Sequence, residues 1–69
     1  MSAIRIILNG EPRTAEEPTS VADLLSQLDL EPVRVAVEIN EDIVPRKRFG
    51  ETAIRDGDRI EIVTFVGGG

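Results

Sequence analysis

The sequence has no cysteine, histidine, tryptophan or tyrosine, and it has only two phenylalanines. Without cysteine the chain has no disulfide, no thiol nucleophile and no thiolate metal site. Without histidine it lacks the commonest general base and the commonest metal ligand. The scarcity of aromatic rings removes the surfaces on which unpaired nucleobases stack. These absences argue against an enzyme, against a bound metal ion and against binding of single-stranded nucleic acid.

The length and the charge narrow the function further. A chain of 69 residues, 41% of them hydrophobic, forms at most one small globular domain, with no room for a deep substrate cavity beside its core. The formal net charge of −5 disfavours nucleic acids and anionic membranes and favours more basic protein partners. The apolar runs are too short to span a bilayer, and the N-terminus lacks the pattern of a signal peptide. We therefore expect a soluble, cytoplasmic protein, mature as written.

Residue patterns predict one helix and four or five strands. Asn9-Gly10 follows a β-branched run and is typical of a tight hairpin turn, while Pro12 marks the returning strand as an edge or the site of a bulge. Alternation of apolar and polar residues from 33 to 40 is typical of a half-buried strand. The predicted order is strand Ala3–Leu8, strand Glu11–Ala15, a helix from Val21, strand Val33–Asn40, the short extended piece Ile43–Pro45, an irregular segment Phe49–Ile54, the turn Asp56–Asp58 and strand Arg59–Phe65.

The helix has a start signal and a stop signal. Ser20 is the predicted N-cap, and Asp23 lies three residues later near the positive end of the helix dipole. Pro32 disfavours helical backbone at the residue before it, so the helix is expected to end near Leu28 or Asp29. One apolar stripe at helical spacing comprises Val21, Leu24, Leu25 and Leu28.

These elements predict a two-layer α+β fold, in which a mixed sheet of four to five strands packs on one helix. The first and last strands are apolar enough to be buried, so we expect them side by side at the centre of the sheet. The predicted core is Ile4, Ile6, Leu8, Val21, Leu24, Leu25, Leu28, Val37, Ile39, Ile43, Ile60 and Ile62.

The sequence closes with Val66-Gly67-Gly68-Gly69. Glycine adds no side chain to packing, so a frayed terminus is the simplest interpretation. The sequence predicts a single domain, residues 1–69, with a flexible tail (66–69). The alternative to fraying is that this tail, which reaches about 13 Å, carries the carboxylate of Gly69 into a narrow slot of an enzyme. Because a carboxylate is a poor electrophile, it needs a leaving group such as an adenylate. The chain lacks a phosphate-binding loop, so a partner would have to bind the ATP.

Four sequence pieces and the terminal Gly-Gly resemble the sulfur carrier family of the thiamine pathway, the ThiS family, which has the β-grasp, ubiquitin-like fold. The pieces are I-I-L-N-G (6–10), T-S-V-A-D-L-L (19–25), I-N-E-D-I-V-P-R (39–46) and D-G-D-R-I-E-I-V (56–63). The resemblance covers nearly the whole chain.

The resemblance implies a carrier that is not an enzyme and binds no cofactor of its own. An adenylyltransferase related to the ubiquitin-activating enzymes would adenylate Gly69 with ATP. Sulfur mobilised by a cysteine desulfurase would then convert Gly69 to a thiocarboxylate, from which thiazole synthase takes the sulfur. Gly68 would lie beside it in the partner's slot, and Gly67 is a third glycine where the family needs two.

A docking surface is predicted beside the tail. By strand parity Ile7, Val63 and Phe65 point away from the helix, and clustered exposed apolar side chains often mark an interface. Together with Val66 they form the predicted docking patch, although single exposed apolar residues are also common. The run Arg46-Lys47-Arg48 is interpreted as a solvated turn rather than a docking site.

Other functions stay open on the sequence alone. The small subunit of molybdopterin synthase shares the fold and the Gly-Gly end. A ubiquitin-like modifier would use Gly69 to form amide bonds to lysines, and a plain interaction module would use only its surface.

Overall fold

A computed structural model describes residues 2–65, which form one five-stranded sheet and one α-helix. The elements are β1 (Ser2–Leu8), β2 (Glu11–Glu17), α1 (Val21–Gln27), β3 (Val35–Ile39), β4 (Asp42–Val44) and β5 (Arg59–Thr64), with 3-10 turns at Pro32–Arg34 and Arg46–Arg48. The strand order is β2-β1-β5-β3-β4, and β1 and β5 run parallel whereas the other neighbours are antiparallel. The predicted α+β fold and the pairing of the first and last strands are confirmed.

The first hairpin follows from its turn residues. Asn9 and Gly10 have φ angles of 50° and 83°, the left-handed conformation that a two-residue hairpin turn requires. They bring Leu8 opposite Glu11. The pairing of β1 with β2 then continues to Glu17, two residues beyond the predicted end of that strand. Pro12 lies in β2, an edge strand, as the sequence predicted.

The helix begins at a capping box. The hydroxyl oxygen of Ser20 accepts a hydrogen bond from the Asp23 amide at 3.1 Å, and the Asp23 carboxylate accepts one from the Ser20 amide at 3.0 Å. This reciprocal pair satisfies two backbone donors that the first turn leaves free. The helix ends at Gln27, close to the predicted end, and Asp29 then adopts a φ angle of 60°.

The core lies between the helix and one face of the sheet. Val21, Leu24 and Leu25 of the helix are at most 1% exposed, and alternate residues of the strands meet them. The buried set is Ile4, Ile6, Val21, Leu24, Leu25, Val35, Val37, Phe49, Ile54, Ile60 and Ile62, with Leu8, Leu28 and Ile39 among the partly buried residues packed against it. Most of the predicted core is therefore confirmed.

Two strand residues are not where the alternation placed them. Ile43, predicted in the core, is 75% exposed, because it opposes Glu38 on the face of the sheet that the helix does not cover. Val33, predicted to begin β3, is 61% exposed, because Pro32 begins a 3-10 turn and the strand starts at Val35.

The segment between β4 and β5 supplies core residues that the pattern did not predict. Phe49 and Ile54 are 4% and 2% exposed. The Ala22 amide donates to the Phe49 carbonyl at 2.9 Å, and the Ile54 amide donates to the Thr19 carbonyl at 3.0 Å. These bonds tie an irregular segment to the start of the helix, so its apolar residues are buried without any periodic spacing. Arg46-Lys47-Arg48, in a turn of the same segment, is exposed, as predicted.

Candidate functional site at the end of strand β5

The predicted acyl donor Gly69, its neighbours Gly67 and Gly68, and Val66 of the docking patch lie outside the described residues. The structure describes the chain up to Phe65, which directly follows β5. Because β5 is the central strand of the sheet, the segment that leads to the predicted site follows the strand with a neighbour on each side.

Strand β3 holds β5 along its whole length. The antiparallel register runs from Ile39 opposite Ile60 to Val35 opposite Thr64. One residue further, the Phe65 amide donates to the Arg34 carbonyl at 2.8 Å. The backbone is therefore fixed on the β3 side as far as the last residue described.

The other side of β5 is held differently. Strand β1 pairs with β5 only at Ile7 opposite Arg59 and Leu8 opposite Ile60, because the chain turns away at Asn9. Beyond that point, the side-chain amide of Asn9 contacts β5: its oxygen accepts a hydrogen bond from the Ile62 amide at 2.8 Å, and its nitrogen donates to the Ile62 carbonyl at 3.3 Å. The sequence does not reveal this role of Asn9, since Asn-Gly signals only a turn.

The face of the sheet away from the helix, called here the open face, carries the described part of the docking patch. Val63 and Phe65 are 61% and 48% exposed. Val63 opposes Ala36, which is exposed as well. Apolar surface therefore lies on the open face where the chain leaves the sheet towards Gly69. Ile43 on the edge strand β4 is also exposed on this face, but it lies opposite Glu38 rather than opposite Ala36.

Ile7 lies on the open face but not beside the other two patch residues. It is half-buried and opposes Arg59, four residues before Val63. Four residues of strand correspond to about 13 Å. The structure therefore brings Val63 and Phe65 together and places Ile7 at the other end of β5.

Two acidic side chains oppose each other on the open face. Glu38 of β3 pairs in register with Glu61 of β5, and directly opposed residues have Cβ atoms about 5 Å apart. The ion pairs among residues 2–65, Arg34–Glu31 and Arg48–Glu51, involve neither of them. Like charges at this spacing repel.

The rest of the surface of residues 2–65 has open clefts. Two of these clefts have volumes of about 750 and 850 Å³, one beside the helix start and one over Ile7 and Pro12. Residues 2–65 contain no cluster of three or more side chains that could hold a metal ion. No helix in this part of the chain has the length and apolar character to cross a membrane.

Comparison with known proteins decides the family. A model of the ThiS family matches residues 6–69. The chain belongs to the ThiS family. The sulfur carrier protein ThiS of Bacillus subtilis is 43% identical over 63 residues, which cover 90% of this chain and 96% of that protein.

A solved ThiS structure and an enzyme agree with this membership. The crystal structure of the thiamine biosynthesis protein ThiS from Geobacter metallireducens matches with a TM-score of 0.81 at 36% identity, covering 96% of this chain and 100% of that chain. A thiazole synthase from Paramagnetospirillum magneticum is 41% identical over 66 residues, which are 96% of this chain but 20% of that enzyme.

The membership confirms the resemblance seen in the sequence. The protein has the ThiS β-grasp fold and is a sulfur carrier of thiamine biosynthesis. It favours the thiamine branch over the small subunit of molybdopterin synthase, which the sequence alone left open.

Proposed function

We propose that the protein carries sulfur as a thiocarboxylate on Gly69 and delivers it for formation of the thiazole ring. The observation that carries the proposal is that the ThiS family match extends over residues 6–69, so it includes the three closing glycines. The course of β5 adds support, because a strand fixed on both sides leads to this segment.

The chemistry has two steps, both in partner enzymes. A carboxylate oxygen of Gly69 attacks the α-phosphorus of ATP, and pyrophosphate leaves. A sulfur nucleophile at the oxidation level of hydrosulfide then attacks the acyl carbon, and AMP leaves with the bridging oxygen. The product is a thiocarboxylate, whose sulfur is nucleophilic and is transferred without release of free sulfide.

The glycines suit this chemistry because they have no side chains. We assign Gly68 and Gly67 to the slot that leads to the adenylation site, where a backbone without Cβ atoms lies close to nucleotide and enzyme groups. The proposal requires residues 66–69 to extend from the folded body into the partner.

The partners are the most specific part of the proposal. An adenylyltransferase related to the ubiquitin-activating enzymes binds ATP and adenylates Gly69, and a cysteine desulfurase supplies the sulfur indirectly. Thiazole synthase accepts the sulfur. This assignment is supported by the thiazole synthase from Paramagnetospirillum magneticum, in which a segment of the enzyme is similar to this chain. The carrier itself needs no cofactor and no catalytic residue, and it acts in the cytoplasm.

The docking surface follows from the open face. Val63 and Phe65, with Val66 beside them in sequence, offer apolar contact next to the reacting end, and Ile7 offers a second contact further along the sheet. Glu38 and Glu61 favour a basic side chain of the partner between them, because a cation relieves their repulsion.

The test is intact-mass spectrometry after incubation with ATP, cysteine, a desulfurase and the adenylyltransferase. We expect one oxygen-for-sulfur exchange, which fragmentation places at Gly69. Conjugation to lysines would instead indicate a ubiquitin-like modifier. An unchanged mass with active enzymes would contradict the proposal. Transfer of the sulfur to molybdopterin precursor rather than to thiazole synthase would favour the molybdopterin alternative.

A further inference from the structure

The end of β5 has unequal support on its two sides. On one side the ladder with β3 continues to Thr64. On the other side β1 stops at Leu8, where the hairpin turns towards β2. The last backbone hydrogen bond from that turn to β5 is donated by the backbone N–H of Asn9 to the Ile60 carbonyl, at 2.9 Å.

The Asn9 side chain extends this pairing by one step. Its oxygen and nitrogen bind the amide and the carbonyl of Ile62, as the peptide groups of a neighbouring strand would. Only carboxamide side chains offer a donor and an acceptor in this form. Asparagine is also among the few residues that tolerate the φ angle of 50° at this position. One residue therefore turns the hairpin and supports β5.

The contact between Asn9 and Ile62 lies close in sequence to the residue that is proposed to carry the sulfur. Ile62 lies three residues before Phe65, and residues 66–69 continue from there. A reacting group that is misplaced by about 1 Å reacts as much as 100-fold more slowly. Support of β5 at Ile62 therefore bears on where Gly69 is delivered.

We propose that Asn9 is a positioning residue for the reaction of Gly69: by pairing with Ile62 it fixes the direction in which β5 leads the chain out of the sheet. This inference rests on the proposed function. Asn9 lies outside the docking patch and touches no reacting atom. Its effect is on the alignment of the tail rather than on docking.

The chain offers a matched control in Asn40. Its φ angle is 53°, its oxygen accepts a hydrogen bond from the Arg59 amide at 2.9 Å, and its nitrogen donates to the Asp58 carboxylate at 3.0 Å. Asn40 thus supports the beginning of β5 by the same type of contact. Glycine at either position keeps the left-handed backbone without strain. Asn9→Gly and Asn40→Gly therefore remove comparable contacts at two points of one strand, Ile62 and Arg59.

The experiment measures adenylation kinetics of the full chain with its adenylyltransferase by ATP–pyrophosphate exchange. We expect Asn9→Gly to lower kcat about 30-fold, the rate equivalent of two net hydrogen bonds, with KM for the carrier changed less than about twofold. Asn40→Gly keeps the kcat of the wild type. Hydrogen exchange of the Ile62 amide accelerates in Asn9→Gly and not in Asn40→Gly.

Further outcomes distinguish failure of the role of Asn9 from failure of the proposed function. Asn9→Asp keeps an acceptor for the Ile62 amide and loses the donor, so an intermediate kcat supports the inference even where Asn9→Gly folds poorly. A wild-type kcat in a folded Asn9→Gly variant, or an equal loss of kcat in both glycine variants, overturns it. Failure of the wild-type protein to be adenylated contradicts the proposed function instead.

Discussion

Two acidic side chains on the open face lower the stability of the sheet without serving the fold. The opposed pair Glu38 and Glu61 is a cross-strand arrangement that destabilises a sheet. Nothing in the fold requires it, because both carboxylates lie away from the core. A repulsive pair on an exposed surface is consistent with a surface that is completed by a partner.

We predict that Glu61→Gln raises the free energy of unfolding by about 0.2–1 kcal/mol, because it removes the repulsion from Glu38. Urea denaturation of both proteins measures the change. The control is Glu51→Gln, which loses the exposed ion pair with Arg48 and should be neutral or slightly destabilising. A loss of stability in Glu61→Gln beyond that of the control would show that the pair does not repel.

We predict that Phe65→Ala weakens binding to the adenylyltransferase about tenfold, because large aromatic side chains at an interface carry much of its binding energy. The melting temperature should not change measurably, since the ring is 48% exposed at the end of the sheet. Titration calorimetry gives the Kd. Val33→Ala, at a position that is 61% exposed but outside the docking patch, should leave both quantities unaltered. Equal affinities for Phe65→Ala and wild type would remove Phe65 from the interface.

The elements differ in how far the sequence determines them. The first hairpin and the helix start have local signals: Asn9-Gly10 sets the turn, and Ser20 with Asp23 forms the capping box. Both were predicted because the interacting residues are near neighbours in sequence. Phe49 and Ile54 were missed because an irregular segment has no period, and their burial depends on backbone bonds to the distant helix start.

We predict that Ser20→Ala lowers the free energy of unfolding by about 1 kcal/mol, the typical contribution of an N-cap side chain. The effect should be easily detected, because α1 has only seven residues and short helices depend on their ends and their packing. Urea denaturation is the measurement. Ser26→Ala, at an exposed position within the same helix, is the control and should change stability little. Equal effects of the two substitutions would show that the cap contributes nothing.

For the whole molecule, the alternation of apolar residues predicted the two layers and most of the core. Ile43 was misplaced because parity within a three-residue edge strand does not reveal which face the helix covers. The candidate site likewise has one part that strand parity predicts and one part that depends on strand pairing. Parity correctly placed Val63 and Phe65 on the open face, whereas the register that separates Ile7 from them depends on the β1–β5 pairing. The support of Ile62 by Asn9 depends on that pairing too, and no local pattern indicates it.

The central claim is that the fold serves to present the carboxylate of Gly69, and appending one alanine after Gly69 tests it most directly. The extended protein should unfold at the same temperature as the wild type, because nothing in the described core involves this end of the chain. Incubated with ATP, cysteine, the desulfurase and the adenylyltransferase, it should show no oxygen-for-sulfur exchange by intact-mass spectrometry, whereas the wild type exchanges fully. Thiolation of the extended chain with the alanine still attached would contradict the account.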